Sequence, residues 1–93
     1  MFLGTLVLEL SLPGCDSLKE KRHRLKGVIE RIRDKFNVSV SEVDFHDIHQ
    51  SALVAIAMVN TEKKLIEQVF SRVEEFFANG DGLLIINNDI EWY

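Results

Sequence analysis

The chain has 93 residues, 46% of them hydrophobic and 28% charged, with a formal net charge of −4. A chain of this length suits one domain, residues 1–93, and buries roughly 60–65% of its unfolded surface, enough for a core without staples. No apolar run reaches the roughly 18 residues that cross a membrane, and the single cysteine, Cys15, excludes an internal disulfide and fits a reducing, cytoplasmic setting.

Residues 2–12 alternate. Phe2, Leu6, Leu8, Leu10 and Leu12 share one face; Leu3, Thr5, Val7, Glu9 and Ser11 share the other. That period predicts a strand, and the start lacks the basic residues of a signal peptide. Pro13-Gly14 breaks the strand. Ser17-Leu18-Lys19-Glu20 then forms a capping box, with the Ser17 hydroxyl accepting from the Glu20 amide and the Glu20 carboxylate from the Ser17 amide. Leu18, Leu25, Val28, Ile29, Ile32 and Phe36 make one apolar helical stripe, and Asn37 is its stop.

Val38 and Val40 have one parity, Val43 and Phe45 the other, so the second strand needs a bulge or bend, expected near Ser41-Glu42. His46-Asp47-Ile48-His49-Gln50 reads as a hairpin connection. Residues 52–59 are apolar on both parities, as in a central strand. Asn60 or Thr61 is expected to cap a second helix with the stripe Leu65, Ile66, Val69, Phe70, Val73, Phe76 and Phe77. Asn79-Gly80 ends that helix, with Gly80 expected in the left-handed conformation, and a last strand runs from Leu83 through Trp92.

The order β-α-β-β-α-β predicts an α+β, ferredoxin-like two-layer sandwich with an antiparallel sheet in the order 4-1-3-2. Both helices cover one sheet face. The other face is open and carries Leu3 and Val7, with either Ala55 and Ala57 or Val54 and Ile56 from the third strand. A second copy of the chain is one partner for that face, because apolar faces seek cover and twofold dimers are the commonest closed assembly.

Ser17-Leu18-Lys19-Glu20-Lys21-Arg22, then Phe36 to Val43, then Asp44-x-x-Asp47-x-x-Gln50 resemble the YlxP-like family of small bacterial proteins, a family of unknown function. The likeness runs along the whole chain. It departs at His49, where the family often has Trp, and at Ser51, where a basic residue is frequent. The resemblance implies a ferredoxin-like fold and carries over no catalytic residues. It also implies a link to RNA or the ribosome, because members are often encoded beside translation-initiation and ribosome-maturation genes.

Charge singles out one element. Eight of the eleven Lys and Arg lie between Lys19 and Lys35 beside only three acids, while the other twelve acids face three cations. On a helical wheel, Lys19, Arg22, Lys26 and Arg33 fall on one flank of the stripe, and Lys21, Arg24, Arg31 and Lys35 on the other. Cations concentrated at the helix start oppose its dipole, so they do not serve helix stability. Lys19, Lys21, Arg22, Arg24, Lys26, Arg31 and Arg33 are therefore the candidate nucleic-acid-binding residues, meeting phosphates of structured RNA or the ribosome with weak sequence preference and no sequence readout of DNA. The bland alternative is a solvated helix face laced with charge pairs.

Two activities of this topology are excluded. Base stacking on the sheet needs aromatics on the first and third strands, and Phe2 is the only one there. Acylphosphatase chemistry needs an arginine in the first loop, which here is Pro13-Gly14-Cys15-Asp16. His46, Asp47 and His49 suit zinc by type, but no fourth ligand is evident and the two histidines differ in parity, so no metal or other cofactor is expected. Cys15 has no base beside it in sequence and reads as a small loop residue. The expectation is a non-enzymatic accessory protein that touches RNA, with a homodimeric interaction module as the alternative.

Overall fold

A computed structural model describes residues 1–93. The elements are β1 (Phe2–Ser11), α1 (Leu18–Lys35), β2 (Ser39–Asp44), β3 (Ser51–Asn60), α2 (Lys63–Ala78) and β4 (Leu84–Trp92). The sheet order is β2-β3-β1-β4, with every neighbouring pair antiparallel. This is the expected ferredoxin-like sandwich. None of its helices is long and apolar enough to cross a membrane.

Period two decides the core. Leu6, Leu8 and Leu10 of β1 and Val54 and Ile56 of β3 are fully buried, facing Leu25, Val28 and Ile32 of α1 and Ile66, Phe70 and Phe77 of α2. Each such side chain stabilises the fold by roughly 1.5–3 kcal/mol on burial. The open-face alternatives for β3 are thereby decided. Val54 and Ile56 point to the helices, and Ala55 and Ala57 lie on the open side, opposite Val7 and Thr5.

Trp92 ties β4 down. Its ring lies 6.4 Å from that of Phe70, and Lys63 Nζ sits 4.8 Å above it. Gly4, paired with Trp92 across the ladder, leaves it room: a Cβ there would stand 2.7 Å from Trp92 Cζ3. At the other end of the sandwich, the Phe36 and Phe76 rings meet edge to face at 5.6 Å and join the two helices.

The bulge expected near Ser41-Glu42 is present directly after Glu42, and three other local expectations are corrected. The bulge falls at Val43, since the register passes from Glu42 opposite Val54 to Asp44 opposite Leu53. Val43 is turned outward and Phe45 then takes φ 64°. Ser17 does cap α1, accepting from the Glu20 amide at 3.1 Å, but the Glu20 carboxylate accepts from the Asp16 amide at 3.3 Å rather than from Ser17. At α2 the N-cap is Glu62, and the Asn60 carboxamide oxygen accepts from the Glu62 amide at 2.9 Å, a turn just ahead of the helix. The left-handed glycine after α2 is Gly82, at φ 70°, not Gly80. Gly80 is required by contact instead, because a Cβ would lie 2.8 Å from Leu83 Cδ1 and 3.1 Å from Val28 Cγ2.

Candidate nucleic-acid interface

The capped start of α1 delivers the basic side chains, and their surroundings then separate them. Lys21 is buried, with 1% of its surface exposed. Its ammonium donates to the carbonyls of Phe45 at 2.6 Å and Ile48 at 2.9 Å, and lies 2.7 Å from Glu42 Oε2. The contact with Glu42 is ionic, without the angles of a hydrogen bond. The expectation of a phosphate contact at Lys21 is therefore corrected: its donors are spent inside the protein, holding the loop between β2 and β3. It also stands on the β2 side of the helix, not on a flank with Arg24.

The sequence carried a signal for this. Positions 18, 21, 25, 28 and 32 follow alternating steps of three and four, the pattern of a buried seam, and Lys21 is its one polar member. Glu42 keeps its place opposite Val54, on the helix side of the sheet, because the bulge comes one residue after it.

Arg24 is a clamp. Its guanidinium donates to Glu20 Oε1 at 2.7 Å, to the Pro13 carbonyl at 3.1 Å and to the Gly82 carbonyl at 3.2 Å. It thus fastens the β1–α1 loop to the turn before β4. The hydrogen bond from Arg24, followed by that from the Asp16 amide, holds the Glu20 carboxyl below its ordinary value. The hydrogen bond to Glu20 in turn raises the Arg24 value. This clamp leaves Arg24 little capacity for a phosphate.

Lys19, Arg22, Lys26, Arg31 and Arg33 are all exposed. Arg22, Lys26 and Arg33 line a groove between α1 and β2, floored by Leu25 and Ile29 and bordered by Ser41 and Glu42. Arg33 spends one bond on the Val40 carbonyl, 2.7 Å away. Arg31 stands on the other flank, in a cleft with Glu75, Phe76 and Asn79. Lys26 reaches Glu30 only at 3.9 Å, an exposed pair worth little.

The remaining candidates do not converge. The His46 ring lies 3.3 Å from the Glu42 carbonyl, beside Lys21 and Arg22, whereas Asp47 and His49 border a different cleft with Cys15 and Asp16. No three His, Cys, Asp or Glu side chains gather as a metal site would require. Cys15 is fully buried, its thiol 3.4 Å from the Ser17 carbonyl. Tyr93 follows β4 and helps to fix that end of the chain on the sheet. Its amide bonds the Leu3 carbonyl at 2.8 Å and its ring is largely exposed at one end of the sheet.

A βαββαβ fold with a basic outer helix defines a small ferredoxin-like protein. The family described as "Protein of unknown function (DUF503)" matches residues 3–90, and the chain belongs to it. The uncharacterized protein YlxP of Bacillus subtilis (strain 168) is 32% identical over 91 residues, covering 98% of this chain and 99% of that one. Among solved structures, a de novo designed ferredoxin-fold protein superposes with a TM-score of 0.60 at 12% identity, covering 100% of this chain and 84% of that one. A putative chlorite dismutase gives 0.55 at 11% identity, covering 100% of this chain but 44% of that one. At these identities the structural likeness concerns the fold alone.

Proposed function

We propose that this protein is a non-enzymatic accessory factor that contacts structured RNA, the ribosome included, through the exposed cations of α1. The observation that carries the reading is the row Lys19, Arg22, Lys26 and Arg33 on the β2 flank. These side chains stay exposed after Lys21 and Arg24 are taken up internally. Fourteen residues of helix separate the ends of the row, about 21 Å at 1.5 Å per residue, long enough to follow several phosphates. The acids of the rest of the chain repel a polyanion, so they orient its approach to this side.

Four phosphate contacts give a salt slope of about −2.8 to −3.6, a loss of roughly 50- to 150-fold in affinity between 50 and 200 mM salt. Fluorescence anisotropy on an RNA hairpin measures this for the wild type and for Lys19→Glu/Arg22→Glu/Lys26→Glu. The triple variant is expected to lose most of the binding and most of the slope. An absence of binding at 50 mM salt, or a slope that the triple variant leaves unchanged, overturns the reading.

A further inference from the structure

The sheet face away from the helices has a charge pattern of its own. Register places Leu3, Val7, Leu53 and Val59 there, around Ala55 and Ala57. The two alanines leave a flat strip along β3. Glu9 on β1, Asp89 and Glu91 on β4 and Asp44 on β2 carry the charge of the face, beside the neutral Thr5, Ser39, Ser41 and Asn87. None of the eleven Lys and Arg lies on any of the four strands, so every charge that the strands place on this face is a carboxylate. Glu91 receives a hydrogen bond from the Tyr93 hydroxyl at 2.8 Å and Glu9 one from the Asn87 carboxamide at 3.3 Å; neither neighbour neutralises a charge.

We propose that this face is the docking site for a cationic amphipathic helix of a partner protein. A helix is the mating element because the other side of the same sheet already takes one of that design: α1 lays an apolar stripe on it and carries cations on the flanks. A partner helix of the same kind would put its apolar stripe over Ala55 and Ala57, and its Lys or Arg side chains against Asp89, Glu91 and Asp44. A second copy fits worse. Two such faces pressed together appose four carboxylates from each chain with no cation between them, and like charges at an interface are strongly unfavourable. The apolar stripe of α1 is itself buried, so another copy has no free amphipathic helix to offer in its place.

The probe is a synthetic peptide with Leu at helical i, i+3, i+4, i+7 spacing and Lys elsewhere, beside a counterpart with Glu for Lys. Both are titrated into labelled full-length protein by NMR. The Lys peptide is expected to shift amides of β1, β3 and β4, and the Glu peptide to leave them unmoved. Asp89→Asn/Glu91→Gln is expected to weaken the Lys peptide by about three- to tenfold at low salt, as for two rim charge pairs. Ala57→Arg, which fills the flat strip and adds the wrong sign, is expected to abolish binding while leaving RNA binding by α1 unchanged. Equal binding of both peptides, shifts confined to the helices, or displacement of the peptide by an RNA hairpin would overturn the proposal. So would sedimentation showing a dimer of the protein that Ala57→Arg dissolves, because the occupant would then be a second copy.

Discussion

Replacing Lys21 with Met tests the interior reading of the basic helix. The ammonium is shut away from water and serves three oxygens: Glu42 Oε2 at 2.7 Å and the carbonyls of Phe45 and Ile48 at 2.6 and 2.9 Å. Methionine keeps most of the stem's packing and removes all three contacts. Breaking a buried ion pair from one side costs about 3–5 kcal/mol, because the other charge is left without a partner. Here the Glu42 side chain is 19% exposed, so water recovers a little of that loss. The two carbonyls lose their donor, which adds to the cost. A net loss of about 3–4 kcal/mol is expected, against a total of roughly 5–14 kcal/mol for a domain of this size. The melting temperature should fall by roughly 12–30 °C. Urea unfolding followed by circular dichroism gives the free energy directly. Lys21→Met/Glu42→Leu should regain about half of the loss, because a buried pair exchanged for apolar side chains is close to neutral while the loop carbonyls remain unserved. A single-variant loss below about 1 kcal/mol, or a double variant as unstable as the two singles summed, would refute the argument.

Glu20 supplies an acid dependence. Its folded value lies below the ordinary 4.5, first through the hydrogen bond from Arg24 and then through the Asp16 amide. A depressed carboxyl contributes stability that is present above the unfolded value and is lost as pH falls through the folded one. Urea midpoints measured downward from pH 4.5 should therefore fall less steeply for Glu20→Gln than for the wild type, and identical slopes would show that solvent screens the pair. Gly4→Ala should cost about 1–3 kcal/mol by overpacking, with a red shift of the emission of Trp92, the chain's single tryptophan. An unchanged midpoint would show that the ring moves aside freely. The Cys15 thiol should resist labelling until the domain opens, and should label faster in Lys21→Met in proportion to its lost stability.

The fold was legible because its elements obey simple periods. The even-numbered leucines of β1 could bury together only on a strand, and the stripes of α1 and α2 fit only helices. Less legible was whatever depended on a distant partner. Parity called for a bulge near Ser41-Glu42 without fixing the residue, and the register sets it at Val43. Its position after Glu42 follows from Glu42 having to face Lys21, a residue of another element. A helical wheel sets Lys21 on a flank with Arg24 only while basic side chains are kept out of the apolar stripe. Its place in the buried seam was visible in the spacing, whereas the acceptors that make burial tolerable come from a loop 24 to 27 residues further on. The left-handed conformation falls on Gly82 rather than Gly80 for a related reason. The close approach of Leu83 and Val28 to Gly80 is tertiary, and a propensity for the left-handed region does not reveal it.

The exposed cations of α1 make sense only against the stability of the helix that carries them. The first turn of α1 holds a single acid, Glu20, which is engaged by Arg24, while Lys19 and Arg22 stand exposed beside it, at the positive end of the helix dipole. A helix arranged for stability alone would carry acids at those positions and keep its cations for the last turn, where Arg33 and Lys35 already sit. Reversing Lys19 and Arg22 to Glu should therefore leave α1 no less stable, and it touches neither the Lys21–Glu42 pair nor the Arg24 clamp. Reversing Lys21 would expel the ammonium that holds the β2–β3 loop, and any loss of RNA binding would then be confounded with unfolding. The charge-reversed triple variant keeps these two effects apart. If it binds RNA poorly while unfolding at the wild-type urea midpoint, the exposed cations act on the partner rather than on the fold.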